Sequence, residues 1–251
     1  MLHLETLIKF LKTHYASKSE KLNALLEHQE IMFDLLPVFF RPNSVIYMIS
    51  ASSEKPRCLR FDYGQVKRSN GKTCFQLSCH HLTYDGICFG EAPVTTEIQE
   101  FQGVMKITSL GVYPLEYHAE KQKVIKELTK RGQKFMSLNG THYRMYQGQA
   151  FYRKKKEVKK FAVSGRVMID AASFREKNPN YFFPSIDEKP FEDDLDDDSH
   201  SDDRSSGNNR VVTKQKGFCP PEELLLCSET AYGFCFITKQ WGQYLSLLSS
   251  V

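Results

Sequence analysis

Apolar positions at helical spacing open the chain. Leu4, Leu7, Ile8 and Leu11 fall on one face, and Leu22, Leu25 and Leu26, with Met32 beyond them, repeat the pattern. Ser19 stands just upstream of the second run as an N-cap. The spacing predicts helices through residues 1–42, ending near Pro37 to Pro42, with extended chain from Val45 to Tyr47. From Arg57 to Glu91 the period shortens to two, in runs such as TCFQLSCHHLTY and ICFGE. Asn70-Gly71 and Asp85-Gly86 interrupt these runs and offer the positive φ angles of type I′ hairpins. A β-meander follows, carried on by Val94 to Ile98 and Val104 to Val112.

Helical spacing returns from His118 to Lys134, where Val124, Ile125 and Leu128 line one side and lysines the other. THYRMYQGQAFY (141–152) and VSGRVMID (163–170) read as strands. Asp170 caps a short helix through Phe174 that Pro179 terminates. Residues 185–215 are poor in apolar side chains and rich in Asp, Ser, Gly and Asn, too polar to offset the entropy of ordering, which predicts a disordered loop. Order resumes at Leu224 to Cys227 and Tyr232 to Ile237, and a short helix from Trp241 to Leu248 closes the chain. The expected fold class is α+β, with an N-terminal helical segment over 1–42. A β-rich core over 43–184, an antiparallel meander or barrel-like sheet, holds the packed helix 118–134. A disordered acidic loop over 185–215 and a C-terminal strand and helix over 216–251 complete the domain.

Composition adds one thing to this picture. An apolar fraction of 41% and an aromatic fraction of 12% in 251 residues are ample for a packed core. The formal charge of +4 conceals an asymmetry. Between Asp187 and Arg204 ten acidic residues stand against Lys189 and Arg204, a local charge of −8, so the remainder carries +12. A basic fold of this kind favours acidic partners, and the acidic tract supplies one from within the chain. The seven cysteines are odd in number and lack CxxC spacing, which points to reduced, buried thiols in a cytoplasmic or nuclear protein. The opening residues lack a secretory leader, and no run approaches the ~18 apolar residues that span a bilayer, so no membrane partner is expected.

Candidate chemistry is sparse. Gly71-Lys72-Thr73 ends as a phosphate loop does, but position 66 is Val where the first glycine belongs, and a hairpin turn explains the tripeptide. Cys79, His80, His81 and Cys88, with Cys74 nearby, are the one group with metal-ligating side chains. On a strand, however, Cys79 and His81 face one way and His80 the other, and a fourth ligand is missing. No metal or cofactor is expected. No GxSxG elbow or signalled Cys–His pair is present, and carboxylates concentrate in the acidic tract, away from a dry site. No catalytic residue is therefore assigned.

The strongest electrostatic feature is RKKKEVKK: Arg153, Lys154, Lys155, Lys156, Lys159 and Lys160. Tyr143, Tyr146, Phe151 and Tyr152 precede it. Tyr146 and Tyr152 join the six basic residues as partner-binding candidates, since bases stack on aromatics beside phosphate-contacting lysines. The competing readings are a solvated basic turn and pairing with the acidic tract.

Five segments in order carry a family resemblance: FDLLPVFFRPNSVIY (33–47), YDGICFGE (84–91), ITSLGVYPLEYH (107–118), SGRVMIDAASFREKNPNY (164–181) and YGFCFITKQWGQYL (232–245). Together they resemble the uncharacterised N-terminal region of fungal AAA-type ATPases, in which the motor follows the segment corresponding to Tyr232 to Trp241. The chain reaches Val251 with no phosphate loop, magnesium carboxylate or arginine finger of the kind phosphoryl transfer uses. The resemblance thus implies a non-catalytic accessory domain that recognises a substrate or partner, either another protein or a downstream ATPase module. The alternative is a nucleic-acid-binding module using residues 153–160. Within the shared segments, Tyr113, Leu115, Tyr117, Val167, Met168 and Trp241 are expected to be core or interface residues.

Overall fold

The computed structural model describes residues 2–69, 71–154, 157–181, 186 and 221–245. Helix α1 (Leu2–Glu27) is a single helix. No glycine or proline interrupts it, so Ser19 lies inside it and does not cap a second helix. Strand β1 (Glu30–Met32), a 3-10 turn at Phe33–Leu35 and the four-residue α2 (Leu36–Phe39) follow, where helix was expected throughout. Then come β2 (Val45–Ile49), β3 (Pro56–Ser69), β4 (Lys72–Tyr84), β5 (Phe89–Gln99) and β6 (Val104–Lys106). A 3-10 turn at Ile107–Ser109 separates β6 from β7 (Val112–Pro114), so the expected Val104 to Val112 strand is broken in two.

Helix α3 (Lys121–Met136) falls close to its expected span. After it, β8 (His142–Lys154) and β9 (Glu157–Ile169) form a long antiparallel hairpin. Helix α4 (Ala171–Lys177) begins as the sequence indicates: Asp170 Oδ1 accepts from the Ser173 amide at 2.8 Å. The four-residue α5 (Pro221–Leu224), β10 (Thr230–Cys235) and β11 (Gln240–Leu245) follow. The expected helix at Trp241 is instead this last strand, in register with β10 from Thr230↔Leu245 to Cys235↔Gln240. Trp241, Tyr244, Leu245 and Leu248 fit a helical period, but Trp241, Gln243 and Leu245 fit a strand equally well, and pairing with β10 decides the matter. The expected acidic loop, apart from Ile186, lies outside the described residues, as do residues 246–251.

Two turn expectations resolve differently. Gly71 adopts φ +74° between β3 and β4, while Asn70 lies outside the described residues. At Asp85-Gly86 only the glycine has positive φ, +96°, so the turn is not type I′. The Asp85 carboxylate instead accepts from the Ile87 and Cys88 amides, each at 2.8 Å, making a longer Asx-closed loop.

The strands form three sheets: β1–β6, a five-stranded sheet ordered β5-β4-β3-β2-β7, and a closed barrel ordered β10-β11-β8-β9. The fold class is mixed α and β with antiparallel pairing, in line with expectation. The chain divides into two compact units. One comprises Met1–Ile49, Cys58–Cys79 and Val94–Val124, the other Ser50–Arg57, His80–Pro93 and Ile125–Val251.

The first unit has an aromatic core in which Phe40 packs on Phe61 and Phe75, with Phe39 against Tyr117. Tyr113 and Leu115 are buried there, as framework residues should be. The barrel of the second unit is filled by Tyr146, Ala150, Val163, Val167, Ile169, Ala231, Cys235 and Tyr244, with Leu138. Four strands close tightly, and the register pair Gly233↔Gly242 allows it. A Cβ on Gly233 would lie 2.4 Å from the Met168 carbonyl oxygen. All six described cysteines are free, four of them buried. No helix among the described residues is long and apolar enough to cross a membrane.

Candidate functional site

The second unit holds a buried ionic group assembled from three places in the sequence. The Ser50–Lys55 turn closes on itself through Ser50 N–H to Lys55 O, 3.0 Å, and leads into Arg57 at the start of β3. The end of β4 supplies His81. Residues 226–228 pair with β4 through Leu82 N–H to Leu226 O and Ser228 N–H to Leu82 O, which sets Glu229 beside it. Arg57 Nε lies 3.4 Å from Glu229 Oε2, with side-chain exposures of 14% and 5%. Ser50 Oγ donates to Glu229 Oε1 at 2.8 Å, and Ser53 Oγ to the same oxygen at 3.4 Å.

The electrostatics follow from this packing. Burial alone would push the Glu229 carboxyl up, but the Arg57 guanidinium, a backbone amide and the Ser50 hydroxyl outweigh it and hold the group below its usual range. Burial, reinforced by Arg57, pushes His81 down to about 3, against the opposing pull of Glu229. His81 is therefore neutral at pH 7, beside a charged Arg–Glu pair. Each of these side chains is engaged with its neighbours inside the fold. The group works as a clamp between the turn, β4 and the residue before β10. A small, partly open pocket lined by Thr83, Tyr84, Phe135, Ile169, Thr230 and Tyr232 has a volume of about 10 Å³, room for one water.

Among the described residues no three His, Cys, Asp or Glu side chains converge to hold a metal. Cys79 and His81 are buried and His80 turns outward, 3.7 Å from Glu91, the alternation expected of β4. Gly71-Lys72-Thr73 opens a strand, whereas a phosphate loop opens a helix.

The basic segment is described only in part. Lys155 and Lys156 lie outside the described residues, and Arg153 and Lys154 end β8 at the hairpin tip. Lys159 is exposed, and Lys160 pairs with Glu54. Tyr146 corrects the expectation most clearly. Its ring points into the barrel edge-on to Tyr244, and its hydroxyl donates to the Gln149 carbonyl at 2.7 Å, so no base can reach it. Tyr152 packs against Tyr181 with ring centres 5.0 Å apart.

A different surface emerges on the outside of the barrel. Side chains alternate across a strand, so with Tyr146, Val167, Cys235 and Tyr244 inside, Tyr143, Met168, Phe234 and Trp241 face out. These four stand in one register line across β8, β9, β10 and β11. In the next line Met145 pairs with Arg166, and the Phe236 amide donates to the Arg166 carbonyl. Phe236 stacks on Tyr143 at 6.1 Å and meets Phe234 edge-on at 5.6 Å. Phe234 lies 5.1 Å from Trp241, which abuts the buried Phe174 of α4 at 5.7 Å. The result is an aromatic row, anchored at one end in the core and open at the other. Tyr143 is 58% exposed, Met145 57% and Ile237 65%.

The sequence pointed to Tyr143 beside the basic segment and to Met168 and Trp241 as core or interface residues, but not to their alignment in one row with Phe234 and Phe236. Its signal was the alternation in YGFCFI, where Tyr232, Phe234 and Phe236 share one face and Cys235 takes the other.

Residues 21–119 match a family described as a domain of unknown function, DUF7025. The match spans the C-terminal quarter of α1 through the 3-10 turn at Leu115–Tyr117 and stops before the barrel strands. No curated protein matches the chain. No solved structure matches it either.

Proposed function

We propose that this chain is a non-catalytic recognition domain, of the kind that stands ahead of an AAA-type ATPase motor, and that it engages its partner through the outer face of the barrel. The observation that carries this reading is the aromatic row with its open end. Three large apolar side chains there are more than half exposed, and exposed apolar surface rimmed by polar residues is characteristic of interaction sites. The interior ionisable groups support the same reading, since Arg57, Glu229 and Ser50 bind one another. The five sequence segments similar to fungal ATPase N-terminal regions supply the motor context.

Titration with ATP and magnesium by calorimetry tests the proposal. The expected result is no saturable heat. Saturable micromolar binding would place a nucleotide site in the chain and overturn the reading.

A further inference from the structure

We infer that the outer barrel face is a stacking platform for single-stranded nucleic acid, with Tyr143, Phe234, Phe236 and Trp241 receiving bases and Arg166 with its basic neighbours holding the phosphates. The inference rests on the recognition-domain reading and names the partner class of that same surface.

Geometry comes first. Successive bases stack well on aromatic side chains arranged along a sheet surface, because every base presents a π-face, and such binding tolerates any sequence. Here the rings run in contact from Tyr143 through Phe236 and Phe234 to Trp241, over strands held rigid by pairing on both sides. Tyr143, the most exposed ring of the row, is open to take a base on the side away from Phe236.

Charge then selects a polyanion. On the outward side of these strands the described cations are Lys160 and Arg166, with Lys239 in the 236–239 turn, and no Asp or Glu stands at an outward position of β8, β9, β10 or β11 among the described residues. Arg166 and Lys239 are exposed. Arg166 is the best placed of them, because it sits on the outward side of β9, in register with Met145 and one step from the Tyr143–Met168 line. Lys160 is engaged by Glu54 and contributes less. A protein partner would also fit an apolar row. Exposed cations without an outward carboxylate on these strands, combined with flat rings, favour a ligand that is both anionic and aromatic.

Trp241, the single tryptophan of the chain, reports on the site directly. Full-length protein is titrated with a twelve-nucleotide oligothymidylate, the matching oligouridylate and a duplex of equal length, following tryptophan emission and the anisotropy of a fluorescein-labelled strand. The expected result is saturable quenching by both single strands and weaker binding of the duplex. Tyr143→Ala, at an exposed position, should lower affinity by about fivefold to a hundredfold without changing the melting temperature. Arg166→Gln should weaken binding and reduce the slope of log affinity against log salt by about 0.7.

Equal affinity for duplex and single strand, or binding indifferent to Tyr143→Ala, overturns the inference. So does failure of both oligonucleotides to bind while a synthetic peptide of residues 187–204 quenches Trp241. That last outcome would leave the recognition-domain reading standing. Saturable ATP binding would remove that reading without touching the oligonucleotide result.

Discussion

Replacing Glu229 by Gln isolates the energetics of the buried ion pair. The amide keeps the side-chain volume and still accepts from Ser50 Oγ, so the change removes charge and little else. It leaves the Arg57 guanidinium, 14% exposed, facing a neutral group inside the second unit. Losing one partner of a buried pair costs about 3–5 kcal/mol, mainly through the charge left uncompensated. The residual access of Arg57 to water puts the expected loss near the lower end, about 3 kcal/mol. For a chain of this size that corresponds to a fall of roughly 6–12 °C in melting temperature. Urea denaturation followed by Trp241 emission measures it, since Trp241 lies in the same unit as Glu229. The double variant Arg57→Met/Glu229→Leu should recover to within about 1 kcal/mol of the parent, because no buried charge is then stranded. A loss under 1 kcal/mol in Glu229→Gln, or simple additivity in the double variant, would show that water screens the pair and that the clamp described above is wrong.

Two further outcomes follow from the same unit. His81 has its folded pKa lowered from 6.5 to about 3, so the unfolded state binds the extra proton first. Its contribution is whole above pH 6.5, and stability should fall by about 1.4 kcal/mol per pH unit as pH drops below it. His81→Asn should flatten this limb between pH 6.5 and 5 in urea melts. Glu229, also lowered, adds loss only below its ordinary 4.5, so the two limbs separate on the pH axis. Gly86→Ala should destabilise by more than the ~1–2 kcal/mol of left-handed strain alone. A Cβ there would lie 2.6 Å from the Ala172 backbone, where nothing flexible can yield. A thermal melt unchanged in Gly86→Ala would contradict that close approach.

Local pattern reached most of the secondary structure and little of the site. The period-two runs in β4 and β8 and the Asp170 cap were readable because each is decided within a few residues. β11 was not, because QWGQYLSLL satisfies both periods and only its pairing with β10 chooses between them. The same non-locality hid the functional surface. Tyr143 and Trp241 share a face only because β11 pairs with β8 and β9 pairs with β10, closing a barrel from strands far apart in sequence. RKKKEVKK drew attention because its charges are adjacent along the chain, yet adjacency gives a hairpin tip, with Tyr146 turned to the interior. Arg57, His81 and Glu229 had no shared motif at all, since their meeting depends on residues 226–228 docking on β4.

The closure of that barrel also limits how it can be read by another molecule. An open sheet offers unpaired main-chain amides and carbonyls, and a peptide can lengthen it by adding a strand whatever its side chains. In β8, β9, β10 and β11 each strand has a neighbour on either side, so that route is closed over the paired stretch. Recognition there must go through the outward side chains. These positions can then change one at a time and retune the choice of partner, while the inward positions that hold the barrel together stay as they are.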